Sequence, residues 1–287
     1  MKALQDSAVA IVGLGLMGGS LALALREQNV CRKIIGVTRN PRTRAEALAR
    51  GVVDAASADL GLVAEADVVV LATPVRTILS QLPEVGAVAR VGTVVMDFGS
   101  TKRDIVAAMQ SLPPHIEPIG AHPMCGKETS GFESSEASLY RDAVFVLTPL
   151  GRTSPQTLAL AESLAAALGA HPIVLDAARH DRIVAAVSHL PFALSAALTA
   201  TADELARADD QVNSLAASGF RDTSRLAASD VTMMLDILMT NRENVTDLLR
   251  ACGHHLDELA NLIAAGEEPA LRLRLERAAE SRRGWFK

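Results

Sequence analysis

The chain is 287 residues long, with 49% apolar and 21% charged residues and a formal net charge of −5; this balance excludes a disordered chain and gives length enough for two domains. No basic field is available for a polyphosphate backbone, because the arginines between Arg272 and Arg283 are interleaved with Glu276 and Glu280, so nucleic acid is not an expected partner. Cys31, Cys125 and Cys252 are odd in number and widely spaced, which argues against a disulfide framework or a zinc site and fits a reducing, cytoplasmic location.

The first element poses a choice. From Ala8 to Leu25 no charge interrupts 18 residues, about the minimum for a membrane span. Four glycines fall inside the run, Lys2 is its only upstream cation, and no small-residue cleavage pattern follows. Both a span and a signal peptide are therefore poor readings, and no membrane partner is expected. "SAVAIVGLG" reads instead as a β-branched strand entering a glycine turn, and "GGSLALALREQ" as the helix that follows.

"RKIIGVTRNP" is a second strand ended by Asn40-Pro41, and "TRAEALARG" a helix closed by Gly51. "ADVVVLATP", "GTVVMDFGS" and "HIEPIGAHP" are further apolar runs separated by helix-length polar stretches. Such alternation predicts an α/β class, a doubly wound, mostly parallel sheet of Rossmann type with helices on both faces. "DAVFVLTP" and "HPIVLD" add two strands, joined by a helix that Ser154-Pro155 starts and Gly169 ends.

The strand pattern stops at Asp176, and the remainder is rich in Ala, Leu, Ser and charged residues. Helices are predicted at about 177–207, 211–227, 230–250 and 252–265, the first of them kinked by Pro191. The expected division is 1–176, a dinucleotide-binding Rossmann domain, and 177–287, an all-helical substrate and dimerisation domain. Roughly 110 residues of Ala-rich apolar helix need a partner surface, which a second copy of the chain can supply. A homodimer is expected.

Gly13, Gly15 and Gly18 in "GLGLMG", with Leu16 and Met17 between them, form GxGxxG directly after a strand and at the start of a helix. That context marks a dinucleotide site, with the pyrophosphate at the helix amino end. Twenty positions past Gly18 an NAD-selective site usually offers Asp or Glu; here Thr38 and Arg39 stand. A hydroxyl and a guanidinium suit a 2′-phosphate, so NADP is the preferred cofactor and NAD the alternative, unless the arginines merely solvate a loop.

His122 in "GAHPMCG", Ser100 in "DFGST" and Thr73-Pro74 after "VVVLA" lie at predicted strand ends that should converge on the cofactor crevice. No second ligand at metal-binding spacing accompanies His122, so no metal is expected. A neutral imidazole there can take a hydroxyl proton while hydride leaves the same carbon; the alternative is a structural histidine. Cys125 lacks an activating partner and reads as packing.

"GLGLMGGSLALAL", "DFGSTK", "GAHPMCGKETSG", "SHLPF" and "GFRDTSRLAASD" occur in an order and spacing that resemble the prephenate/arogenate dehydrogenase family of tyrosine biosynthesis, over about residues 8 to 250. The resemblance implies oxidative decarboxylation of a cyclohexadienyl substrate to a phenol. It also implies that His122 is the catalytic histidine, Ser100 the serine that orients the ring hydroxyl, His189 a substrate-side histidine, and Arg225 the arginine that holds a carboxylate. Arg221 is a weaker candidate, since it can pair with Asp222. Many relatives read HPMAGTE and SHLPH where this chain has Cys125, Lys127 and Phe192. Lys127 is either a contact to a substrate carboxylate or a solvated side chain.

Two rival readings stand beside this one. The β-hydroxyacid dehydrogenase group resembles the amino-terminal motifs but relies on a lysine in its second domain, and residues 177 to 251 contain none. A non-catalytic dinucleotide-sensing module would need no base.

Overall fold

The expected alternation is present in the computed structural model, which describes residues 2–127 and 129–285. The strands are β1 (Ala8–Val12), β2 (Lys33–Val37), β3 (Ala55–Ser57), β4 (Val68–Leu71), β5 (Val94–Asp97), β6 (Glu117–Pro123), β7 (Val144–Pro149) and β8 (His171–Val174). They form one sheet in the order β3-β2-β1-β4-β5-β6-β7-β8. Every adjacent pair is parallel except β6 and β7. β1 lies between β2 and β4, so the chain winds away from it in both directions.

Strand alternation divides the core into two layers. Val9, Ile11, Val68, Val70, Val94 and Met96 face α1 (Leu16–Gln28) and α5 (Pro155–Ala167) through residues such as Leu21, Leu25, Leu160 and Leu164. Ala10, Val12, Val69, Leu71 and Val95 face α3 (Val75–Val88) and α4 (Arg103–Gln110) through Ile78, Leu82, Ile105 and Met109. Asn40 caps α2 (Pro41–Ala49), accepting from the Arg42 and Thr43 amides, and Ser154 caps α5 from ahead of Pro155, as its sequence requires. β3 was not expected: three residues without a β-branched side chain leave no pattern to read.

From Ala177 the chain is helical: α6 (Ala177–Val184), a π-turn at Ala185–His189, α7 (Leu190–Ala206), α8 (Gln211–Leu215), α9 (Ser218–Ser224) and α10 (Val231–Thr240). The π-turn sits where the expected kink falls, since Pro191 cannot donate to the turn before it. The run Ala177–Ala206 is long and apolar enough to cross a membrane. It nevertheless carries His180, Asp181 and His189, all buried, and each would be costly in hydrocarbon.

Three helix expectations need correction. The helix expected at 211–227 is broken by extended backbone at Ala216 and Ala217, and at its far end the Ala227 amide is tied to Ser195 Oγ on α7 at 3.0 Å, a tertiary contact that overrides local propensity there. The break expected near 251 falls at Asn241, ahead of the single helix α11 (Arg242–Ala265). A further helix, α12 (Glu268–Trp285), was not expected, because its charges leave no clear apolar stripe.

Two compact units result, one ending at Asn241 and one beginning at Arg242. The first holds the sheet together with α6 to α10. In the second, α11 and α12 pack on each other, with Arg274 against Glu258 and an Arg272–Glu268 pair at 3.0 Å.

Candidate active site

Because β1, β4, β5 and β6 run parallel, their carboxyl ends share one edge of the sheet. Gly13 follows β1, Thr73-Pro74 follows β4, Ser100 lies just beyond β5, and His122 is the penultimate residue of β6. Gly13 has φ +97°, and a Cβ there would lie 2.7 Å from Thr73 Cγ2. At Gly18 it would lie 1.9 Å from the Gly13 carbonyl oxygen, so α1 could not pack on the turn.

Gly15 differs from both: nothing lies within 4 Å of its would-be Cβ, and as the N-cap of α1 it gives the first turn no side-chain acceptor. Open space therefore faces the amino end of a helix whose first amides, from Leu16 onward, lack a side-chain cap. This is a cradle that fits a dinucleotide pyrophosphate. Tyr140 steadies it from behind, donating its hydroxyl to the Met17 carbonyl at 2.5 Å.

At the end of β2, Thr38 donates its amide to Ser57 at 2.9 Å, and Arg44 Nη1 donates to the Thr38 carbonyl at 2.6 Å. Arg39 projects into solvent beside them. No carboxylate occurs between Thr38 and Arg44.

The β5–β6 ladder stops at the Met96–Ile119 pair. Beyond it, side chains take over. Asp97 and Lys102 are fully buried and ion-paired; Asp97 Oδ1 accepts from the Ala121 amide at 3.2 Å, and Lys102 Nζ donates to the Ala121 carbonyl at 2.7 Å. Burial pushes the Asp97 carboxyl up and the Lys102 ammonium down, and their mutual attraction opposes both. The residue before His122 is thus fixed through both main-chain groups.

His122 is itself held from the helical part. Its Nδ1 lies 2.9 Å from His180 Nε2, and His180 Nδ1 lies 2.7 Å from Asp181 Oδ1. The same carboxylate accepts the Lys102 and Arg103 amides at 2.7 and 2.9 Å, capping α4, whose own cap residue Lys102 offers no acceptor. Asn241 Nδ2 donates to the Asp181 carbonyl at 2.7 Å, which fixes the orientation of the amide, and lies 3.2 Å from His189 Nδ1.

Burial, reinforced by His180, Lys102 and His189, holds His122 well below the ordinary imidazole range. Burial likewise lowers His189 to about 4, with Asp181 opposing and His180 adding to the effect. Both rings are neutral at neutral pH. His122 remains partly exposed, so a ligand hydroxyl can reach a neutral base at the sheet edge.

The other expected residues fall in different places. Ser100 is partly exposed on the shared edge, and its hydroxyl has no side-chain hydrogen bond among the described residues. Thr73 Oγ1 donates to Gln81 at 2.8 Å. His189 is only 1% exposed and reaches the site network through Asn241. Arg225 is exposed and opens the turn Arg225–Ala228, which Ser195 ties to α7. Lys127 pairs with Glu136 at 2.7 Å, so its charge is already matched within the β6–β7 connection. Arg221 lies 3.9 Å from Asp222, both well exposed. Burial pushes the Cys125 thiol up to about 12, which makes it a poor nucleophile.

Sequence reasoning missed Asp97, Lys102, His180, Asp181 and Asn241. One signal was available: Asp97 is the single charge closing the apolar run "VVMD", whereas His180-Asp181 lies between Arg179 and Arg182 and reads as an ordinary polar start to a helix. Among the described residues no group of three or more His, Cys, Asp or Glu side chains is placed to hold a metal.

Residues 21–174 match the family described as prephenate dehydrogenase, nucleotide-binding domain, and residues 176–277 match prephenate dehydrogenase, dimerization domain. The chain is 32% identical to the prephenate dehydrogenase of Bacillus subtilis over 269 residues, 92% of this chain and 71% of that one. The crystal structure of prephenate dehydrogenase from A. aeolicus in complex with hydroxyphenyl propionate and NAD+ superposes with a TM-score of 0.92 at 31% identity, covering 99% of both chains. That of Synechocystis arogenate dehydrogenase gives 0.81 at 33% identity, covering 97% of this chain and 99% of that one.

Proposed function

The chain belongs to the prephenate dehydrogenase family, and from that premise we propose that it oxidatively decarboxylates prephenate or arogenate to the corresponding phenol in tyrosine biosynthesis. The observation that carries this reading is His122: a neutral, partly exposed imidazole on the same carboxyl edge of the sheet as a cradle for a dinucleotide. The family matches over residues 21–174 and 176–277 favour this reading over a β-hydroxyacid dehydrogenase, and the assay below separates it from a non-catalytic sensor.

Gly13, Gly15, Leu16, Met17 and Gly18 would hold the pyrophosphate, and Thr73-Pro74 would flank the dinucleotide on the β4 side. When bound, the nicotinamide accepts the hydride from C4 of the ring. His122 Nε2 engages the ring hydroxyl as base, and Ser100 Oγ orients that hydroxyl from the neighbouring strand. Arg225 is assigned to a substrate carboxylate by its planar fork. His189, buried and tied to Asn241, is assigned to the substrate side through that contact, and Lys127 can contribute only by leaving Glu136. Loss of the C1 carboxylate as carbon dioxide makes the ring aromatic and the step effectively irreversible.

NADP is the proposed preference, supported by Thr38, Arg39 and the missing carboxylate at the end of β2. We place the functional division near residue 176, with a cytoplasmic homodimer formed through the helical half; the match to a dimerization domain supports the dimer. A sedimentation mass equal to one chain would overturn it. The function is tested by measuring kcat/KM for prephenate and arogenate with NAD and with NADP. Reduction of at least one cofactor by at least one substrate is expected, with NADP the better; reduction in none of the four combinations would refute the assignment.

A further inference from the structure

The row His122–His180–Asp181 has a definite proton order. The Asp181 carboxylate already accepts two main-chain amides, so toward His180 it can only accept again, and His180 Nδ1 carries the hydrogen. A neutral His180 then presents a bare Nε2 to His122. His122 must therefore carry its hydrogen on Nδ1, which leaves the Nε2 lone pair as its free basic site. Without this partner an imidazole has no reason to prefer that tautomer.

We propose that His180 and Asp181 are positioning residues that fix the tautomer of His122 and act as a closed store for the proton it takes. The proposal rests on reading His122 as the base, and it accounts for a feature of the chemistry. In the overall reaction the C4–H bond breaks with its electron pair leaving as hydride, the C1–carboxylate bond breaks with its pair entering the ring, and the hydroxyl proton ends on the phenol oxygen. No net proton is released. A base for such a reaction must borrow a proton and return it, and needs no outlet to water.

The row is built that way. When His122 Nε2 takes the hydroxyl proton, its Nδ1 hydrogen can pass to His180 Nε2, so the charge comes to rest between His180 and Asp181, both 0% exposed. Reversal returns the proton to the same oxygen. Among the described residues the other charged or titratable groups facing His122, Lys102 and His189, are occupied by Asp97 with the Ala121 carbonyl and by Asn241, so neither offers the proton another route.

The test joins a spectroscopic with a kinetic readout. Nitrogen-15 NMR of the histidine rings in the substrate-free protein at neutral pH should show His122 protonated on Nδ1, and in His180→Leu should show it protonated on Nε2. His180→Leu should lower kcat by about 10²-fold with KM little changed. His180→Gln, which keeps an oxygen to accept from Nδ1–H but cannot take a proton, should restore the tautomer and only part of kcat. Circular dichroism and the mass in solution establish that each variant is folded. An Nε2–H tautomer in the unaltered protein, or a folded His180→Leu with undiminished kcat, would overturn the proposal. The tautomer readout needs no substrate, so the failure of the assigned reaction would be told apart from the failure of the relay.

Discussion

Asp97 and Lys102 hold Ala121 by both of its free main-chain groups, one accepting from its amide and the other donating to its carbonyl. The strand bearing His122 is thereby continued past the point where its parallel neighbour stops pairing. Removing one partner leaves a charge without solvent or counter-ion. Lys102→Met should therefore cost about 3–5 kcal/mol of stability, measured by urea unfolding. The double change Asp97→Leu with Lys102→Met should cost less than the single one, and a larger loss would mean that the pair matters for its hydrogen bonds rather than its charge balance.

His122 is the group we assign to the ring hydroxyl. His122→Asn removes the base while keeping a polar side chain of similar reach, so kcat should fall about 10²-fold or more with a modest change in KM. Steady-state kinetics at saturating cofactor checks it; an unchanged kcat removes His122 from the mechanism.

The histidines also set how the protein responds to acid. His122 is held well below 6.5 by burial and neighbouring positive charge, so the acid limb of the kcat–pH profile should lie below that value; a limb at or above 6.5 contradicts the assignment. For stability the sign is the same. The folded pKa of His189 is about 4 against 6.5 unperturbed, so the unfolded chain binds the proton first. Its contribution is complete above about 6.5 and is lost as pH falls toward 4, on the order of 3 kcal/mol in all. Urea midpoints at pH 7 and pH 4 measure this, and His189→Phe should flatten the dependence.

Arg39 stands exposed where a carboxylate would select against a 2′-phosphate. Arg39→Asp should lower kcat/KM with NADP by roughly 10- to 100-fold, the worth of one charge-assisted contact, and improve NAD relative to it. If both cofactors are used as before, the arginine only solvates the loop.

The amino-terminal half was legible because parallel strands buried on both faces spell themselves as β-branched runs, and because Gly13 and Gly18 mark places where a side chain would collide. His122 and Ser100 could be found as residues ending such runs. The short β3 could not, having no periodicity of its own. Nor could the breaks at Ala216, which no local residue marks, and at Asn241, whose side chain is held by Asp181 and His189 far off in sequence. The support of His122 was hidden for a related reason: Asp97, His180 and Asp181 are 24 to 79 positions from the groups they hold. A local reading marks Asp97 as unusual in an apolar strand without naming its partners, and passes over His180 and Asp181, which Arg179 and Arg182 flank.

Carbon dioxide release measured beside cofactor reduction, with prephenate or arogenate as substrate, is the most direct test that this chain couples hydride removal to decarboxylation. The expected result is one carbon dioxide for each reduced nicotinamide, with both signals falling together in His122→Asn. Cofactor reduction without carbon dioxide, or neither signal with either substrate, would contradict it.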